Sequence, residues 1–181
     1  MRLQPRRRIF RRTVPGPVRL PNLLLIVAAA AAFLMVWWVQ DVRGIMPCEL
    51  CLWERWPWRA LLVIGIAGLI VPRKLARGVA WLGVLPLLAD IGLSILHAGV
   101  EWKFWQSPLP ECRAPQLHGS TLAERLASMP LKPGKPCDSP TYLVDWLPVS
   151  MTVVEGLAAL VVLALLIVLL RVRASGGRKT G

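Results

Sequence analysis

Apolar residues along the chain gather into four long runs. The first, Leu23 to Val39, holds no charge and ends in Trp37 and Trp38. At 1.5 Å per residue it crosses most of a roughly 30 Å hydrocarbon core. A cleaved signal peptide is the rival reading, because arginines precede the run, but Ala28 to Ala32 sit inside it and not after it. A second run extends from about Trp56 to Val71, is closed by Pro72, and carries Arg59, which must snorkel to the interface. The third, Val79 to about Ala98, contains Pro86, Asp90 and His97; the fourth runs from about Val149 to Leu170 with Glu155 near its outer end. Pro86 reads as a kink and Asp90 as a protonated helix contact. The expected fold class is an all-α membrane protein, a four-transmembrane-helix bundle with spans at about 22–40, 56–72, 78–98 and 149–170.

Composition agrees. Of the 181 residues, 55% are apolar and 18% charged, with a mean hydropathy of +0.54. That excludes a disordered chain for all but the ends. A net charge of +12 could suggest a nucleic-acid binder, and its distribution decides against one. Seven arginines fall within residues 2–19, three cations at Arg73, Lys74 and Arg77, and four at Arg171, Arg173, Arg178 and Lys179, while every carboxylate lies between Asp41 and Glu155. These three carboxylate-free segments read as cytoplasmic under the positive-inside rule. Residues 1–20 then form a basic cytoplasmic arm, which also suits anionic lipid, and 171–181 a basic cytoplasmic tail. Loops 41–55 and 99–148 lie outside. Tryptophans 37, 38, 53, 56, 58, 102, 105 and 146 sit at or beside these outer loops, where indole prefers the headgroup region, and Trp81 alone belongs inside.

All four cysteines fall in the outer loops: Cys48 and Cys51 in the short one, Cys112 and Cys137 in the long one. One reading is a pair of inert disulfide staples. A four-cysteine zinc site would want two closely spaced pairs, and the second pair is separated by 24 proline-rich residues. On the loop-entropy model a 48–51 ring stabilises by only about 2 kcal/mol and a 112–137 ring by about 3.5 kcal/mol. A weak staple at a helix start, where the dipole and nearby cations favour thiolate, suits a bond that opens and closes. Arg55 stands one helical turn beyond Cys51 and would favour its thiolate, or else snorkel like Arg59.

The stretch Pro47-Cys48-Glu49-Leu50-Cys51-Leu52-Trp53-Glu54-Arg55-Trp56-Pro57-Trp58 resembles the first outer loop of the bacterial disulfide bond formation protein B family, DsbB. His97-Ala98-Gly99-Val100-Glu101-Trp102 is similar to the end of that family's third span, and Cys137-Asp138 to its distal loop cysteine. The resemblance covers about residues 22–170. It implies a bacterial inner-membrane enzyme with two redox-active periplasmic loops, a protein-dithiol:quinone oxidoreductase that reoxidises a soluble periplasmic DsbA-like thiol oxidase and passes the electrons to membrane quinone. Ubiquinone is the implied cofactor, with menaquinone as the alternative. It further implies that Cys48 and Cys51 form the quinone-proximal pair, that Cys112 and Cys137 form the partner-facing pair, and that Arg55 holds the quinone, with His97 beside it. No metal or nucleic acid enters this scheme, and the chain is expected to act as a monomer.

The region after Cys137 departs from the family pattern, since Asp138-Ser139-Pro140-Thr141-Tyr142 brings an extra proline before the fourth span. Within the long loop, Thr121-Leu122-Ala123-Glu124 has the form of a capping box, followed by Leu122, Leu126 and Met129 on one face of a short helix lying on the membrane. Two rivals stand beside this reading. A vitamin K epoxide reductase-like protein shares the four-helix quinone logic but carries its redox CxxC late, near the fourth span. A non-catalytic membrane scaffold would keep its outer disulfides permanently.

Overall fold

The computed structural model describes residues 19–112, 120–128, 135–142 and 149–176, and among them every regular element is helical. Helix α1, Leu20–Trp37, starts with Pro21 in its first turn and widens into a π-type turn at Trp38–Val42. Helix α2, Glu49–Ile70, ends because Val71 precedes Pro72 and is forced into the extended region. Helices α3, Arg73–Leu82, and α4, Val84–Glu101, follow as one apolar stretch broken at Gly83. The kink expected at Pro86 is therefore three residues earlier. Pro86 occupies the first turn of α4, where a missing N–H leaves no helical bond unmade. A short helix α5, Leu122–Ala127, lies in the long loop, and α6, Met151–Gly176, closes the bundle.

Leu25 and Ala29 of α1, Trp58 and Leu61 of α2, Ala80 of α3, Leu87 of α4, and Ala159, Leu163, Leu166 and Leu170 of α6 make one buried core. Val27, Leu34, Val63, Ile70, Leu85, Ile95, Leu157 and Val168 point outward and are exposed. An apolar exterior as greasy as the interior belongs in lipid, where helices associate through close packing and polar contacts, without a hydrophobic drive. Gly68 shows how close that packing is: a Cβ there would lie 1.8 Å from Asn22 Oδ1. Asn22 itself is fully buried and donates from Nδ2 to the Ala76 carbonyl at 2.9 Å, tying α1 to α3.

Among the described residues, three helical stretches are long and apolar enough to cross a membrane, Leu20–Val42, Arg73–Glu101 and Met151–Arg171. Helix α2 has 22 residues, but Glu49, Glu54, Arg55 and Arg59 load its first half. It begins seven residues before the run expected from Trp56, so the CxxC belongs to the helix and not to a loop in front of it. Arg59 stacks its guanidinium over the Trp56 ring at 4.9 Å, a cation–π contact at the surface. Trp58 departs from the expected interfacial belt: only 3% exposed, it turns into the core and donates from Nε1 to Glu155 Oε1 at 2.9 Å. On the basic side, Arg77 donates to the Leu170 carbonyl and ties α3 to the end of α6. The arm 1–18, Met129, Trp146 and residues 177–181 lie outside the described residues.

Candidate redox site

Cys48 is the N-cap of α2. Its backbone is extended and its sulfur accepts from the Cys51 backbone N–H at 3.3 Å, as the oxygen of a capping serine would. Cys51, one turn on, brings its own sulfur to 2.7 Å from that of Cys48, and both thiols are free. The Cys51 thiol donating to Cys48 holds the Cys48 thiol below its ordinary value and pushes Cys51 up. That donor and the positive end of the helix dipole both favour a thiolate at Cys48 over one at Cys51. The sequence reading has Arg55 favour a thiolate at Cys51; the N-cap geometry adds a contact that favours one at Cys48.

Helix α4 supplies the next groups. His97 is 1% exposed; its Nε2 lies 3.5 Å from Cys48 Sγ and its Nδ1 lies 3.0 Å from Glu54 Oε1. Thr152, in the first turn of α6, touches His97 Nδ1 at 3.2 Å and donates to Glu101 Oε1 at 2.9 Å. Cys48, Cys51, Glu54, Arg55, His97 and Glu155 line one cleft, and Arg55 Nε is buried there without a partner. Val36, Met151 and Glu155 continue from this cleft into an apolar cavity of about 260 Å³ walled by Ala28, Ala32, Met35, Trp58, Val154 and Ala158.

The second cysteine pair is joined as a disulfide, with Cα atoms 4.9 Å apart and a backbone bond from Cys137 N to the Cys112 carbonyl at 3.2 Å. Helix α4 aims this loop back over the first pair. Phe104 N bonds to the Gly99 carbonyl and Lys103 N to that of Val100, with Lys103 left-handed at φ 61°, a Schellman ending in which lysine stands where glycine is usual. The reversed chain lays Trp105 on Gly99 and bonds its Nε1 to the Leu96 carbonyl at 2.9 Å. Cys48, Cys112 and Cys137 then share one apolar cluster with Leu50 and Val100.

The family model for disulfide bond formation protein DsbB matches residues 18–169. The chain belongs to the DsbB family. Two proteins of Pseudomonas aeruginosa, disulfide bond formation protein B 2 of strain PAO1 and disulfide bond formation protein B 1 of strain UCBPP-PA14, are each 42% identical to it over 64 residues. That segment is 35% of this chain, which spans about a third (36%) of the length of the curated relatives it matches. No solved structure matches.

In this DsbB-family chain the structure gathers Cys48, Cys51, Arg55 and His97 at one cleft and places the Cys112–Cys137 bridge in the same apolar cluster as Cys48. Sequence reasoning missed Glu54 and Thr152 and gave Glu101 and Glu155 no role. Glu54 follows Cys51 by three positions and Glu101 follows His97 by four, so same-face helical spacing carried a signal for both. Thr152 had none, because only the packing of α6 on α4 brings it in.

Proposed function

We propose that this chain is a protein-dithiol:quinone oxidoreductase that reoxidises a DsbA-like periplasmic thiol oxidase. The observation that carries the reading is the position of the Cys48–Cys51 pair, with the Cys112–Cys137 bridge on one side and a cleft running into an apolar, lipid-side cavity on the other. The partner's first thiolate attacks Cys112 and releases Cys137; Cys137 attacks the oxidised inner pair at Cys48, a member of the same apolar cluster, and releases Cys51. The partner's second thiol then attacks its own mixed disulfide and leaves oxidised, freeing Cys112. Cys112 re-forms its bond to Cys137 and releases Cys48, so that two electrons rest on Cys48 and Cys51. A bound quinone supplies the two-electron sink, ubiquinone or menaquinone being the fit. The orphaned Arg55 Nε suits a carbonyl oxygen of such a group, since a buried guanidinium donor without an acceptor is costly. Arg55 would hold it, with His97 bordering the same cleft.

The topology belongs to this proposal: four spans with α2 as the short, charged one, loops 41–55 and 99–148 periplasmic, both termini cytoplasmic, in the bacterial inner membrane. The four-helix domain is 21–170, between the basic arm 1–20 and tail 171–181. Val63, Ile66 and Ile70 give α2 an outward apolar face in its second half. A phosphatase fused after residue 75 should be inactive; activity there reverses the side of every cysteine. The reaction is tested by mixing the purified protein anaerobically with reduced DsbA and ubiquinone-1. Quinone absorbance should fall with one DsbA disulfide formed per quinone consumed, and a flat trace overturns the assignment.

A further inference from the structure

His97 sits between two functional groups that the reaction scheme leaves unexplained, Glu54 and Glu101. Its Nδ1 faces two oxygens, Glu54 Oε1 at 3.0 Å and Thr152 Oγ1 at 3.2 Å. A carboxylate only accepts, and the Thr152 hydroxyl proton is already given to Glu101 Oε1, so both oxygens call for a proton on Nδ1. That fixes the tautomer of the neutral ring. The bare nitrogen is then Nε2, and it faces Cys48 Sγ at 3.5 Å. Behind Nε2, Glu101 Oε1 lies at 3.9 Å, and Glu101 Oε2 is buried without a partner. Cys48 is 4% exposed, and His97 and Glu54 are each 1% exposed, so bulk water is not at hand to take a proton from this thiol.

We propose that Cys48, His97 and Glu54 form a buried proton relay: His97 is the base that takes the Cys48 proton, Glu54 is the positioning residue that holds the ring and stabilises its charged form, and Glu101 is the next acceptor. The inference rests on the oxidoreductase reading above and deepens it. Closing the Cys48–Cys51 bond breaks two S–H bonds and forms one S–S bond. Two electrons pass to the quinone, one proton leaves from Cys51, and the Cys48 proton goes first to His97 Nε2; both protons finish on the hydroquinone oxygens. In the reverse sense, when Cys48 departs from a mixed disulfide with Cys137, the same imidazolium returns a proton to it. The role also explains why both ring nitrogens are engaged within the protein: His97 has no donor to spare for a quinone carbonyl.

The ionisable groups that share the cleft with Cys48 are Cys51, Glu54 and Arg55 from α2, His97 and Glu101 from α4, and Glu155 from α6. A plain Coulomb role for Glu54 and the relay role predict opposite signs, which makes the test decisive. As a mere neighbouring anion, Glu54 opposes the Cys48 thiolate, so Glu54→Gln would make that thiol more acidic. As the support of imidazolium, its loss makes the thiol less acidic.

The full-length protein, reduced anaerobically in detergent, is alkylated with iodoacetamide from pH 5 to 10, with modification at Cys48 followed by mass spectrometry. Glu54→Gln and His97→Gln should both move the half-maximal pH upward, slowing alkylation at pH 7 by roughly tenfold or more, with Glu54→Asp between. A downward move or superposed profiles in Glu54→Gln overturns the relay. Should Glu54→Gln fail to fold, Glu54→Asp carries the same test, since it keeps the carboxylate on a shorter arm. This readout uses neither quinone nor partner. If the profile shifts as stated and no quinone is reduced, the oxidoreductase reading falls and the relay stands. In steady state the relay predicts that Glu54→Gln lowers kcat about 100-fold at pH 7, recovers as pH rises, and leaves quinone KM within twofold. A raised KM with kcat intact would instead make His97 a quinone ligand and overturn the proposal.

Discussion

The two cysteine pairs share one chemistry and are built by different means. Cys48 and Cys51 are three positions apart on the first turn of a long helix, and their surroundings are ionisable: Glu54, Arg55, His97 and Glu101. Cys112 and Cys137 are 25 positions apart, one on a short 3-10 turn and one on a loop, and pack on Leu50, Val100 and Leu109. The first pair is tuned by charge, because a helix N-terminus and the Cys51 donor favour the thiolate at Cys48. The second is tuned by connection, because closing a ring of that length removes far more chain entropy than closing a four-residue one. A relay between two disulfides would use this asymmetry, an outer bond held by its ring on one side and an electrostatically biased inner pair on the other.

The comparison breaks most visibly if one sulfur of the outer pair is removed. Cys137→Ala should abolish turnover and accumulate a covalent complex with a DsbA-like partner through Cys112, visible on a non-reducing gel. The attacking thiolate then meets no resolving sulfur. Equal accumulation from Cys112→Ala would reverse the roles of the two cysteines. The inner pair should respond differently: Cys51→Ser stops quinone reduction, while the Cys112–Cys137 bridge still exchanges once with the partner.

Arg55 sharpens the electrostatic side. Arg55→Leu removes the unpartnered Nε donor from the cleft, and quinone KM should rise by about tenfold, the order of one charge-assisted hydrogen bond. Arg55→Lys should fall between, since it keeps the charge but loses the planar fork. An unchanged KM and turnover in folded Arg55→Leu would leave Arg55 a snorkelling interfacial residue.

Much of this asymmetry was legible in the chain. The apolar runs locate the long helices because lipid imposes composition over some twenty residues at a time. The CxxC with Arg55 one turn on marks the inner site because helical spacing needs no tertiary knowledge. What escaped depends on which face meets a neighbour. Trp58 reads as an interfacial indole, yet its neighbour Glu155 arrives from a helix nearly a hundred positions away and turns it inward. The break at Gly83 escaped because Pro86 is the stronger breaker by rank but harmless in a first turn. His97 looked like a lone histidine at a helix end, since its partners Glu54 and Thr152 come from two other helices.

A smaller effect separates the pairs thermodynamically. Replacing both Cys112 and Cys137 by alanine should lower stability in detergent by about 3.5 kcal/mol on the loop-entropy model, against about 2 kcal/mol for the oxidised inner pair. Chemical denaturation of the oxidised proteins checks the order. A larger loss from the inner pair would show that its bond contributes more than its ring size allows, and the division between charge and connection would no longer hold.

The smallest effect lies in α5, within the ring closed by Cys112 and Cys137. Glu124 Oε2 accepts from Ser120 N at 2.8 Å, Ser120 Oγ at 3.1 Å and Thr121 N at 3.2 Å, while Thr121 Oγ1 accepts from Glu124 N at 3.3 Å, so the capping box read from the sequence is formed. These backbone and hydroxyl donors hold the Glu124 carboxyl below its ordinary value of 4.5. A depressed carboxyl stabilises the folded form fully above the ordinary value, and the contribution is lost as pH falls through the lower, folded-state value. Amide exchange over residues 122–127 should therefore quicken between pH 5 and pH 3 beyond the intrinsic pH dependence. In Glu124→Gln that extra change should be absent, because glutamine does not titrate. Over the same range the exchange of α2 around Cys48 should not follow α5, since a six-residue helix on the surface of the outer loop frays locally while the inner pair stays in the packed bundle. Fraying of the two together would mean that the outer loop and the inner site open as one unit, and the contrast between the two cysteine pairs would fail.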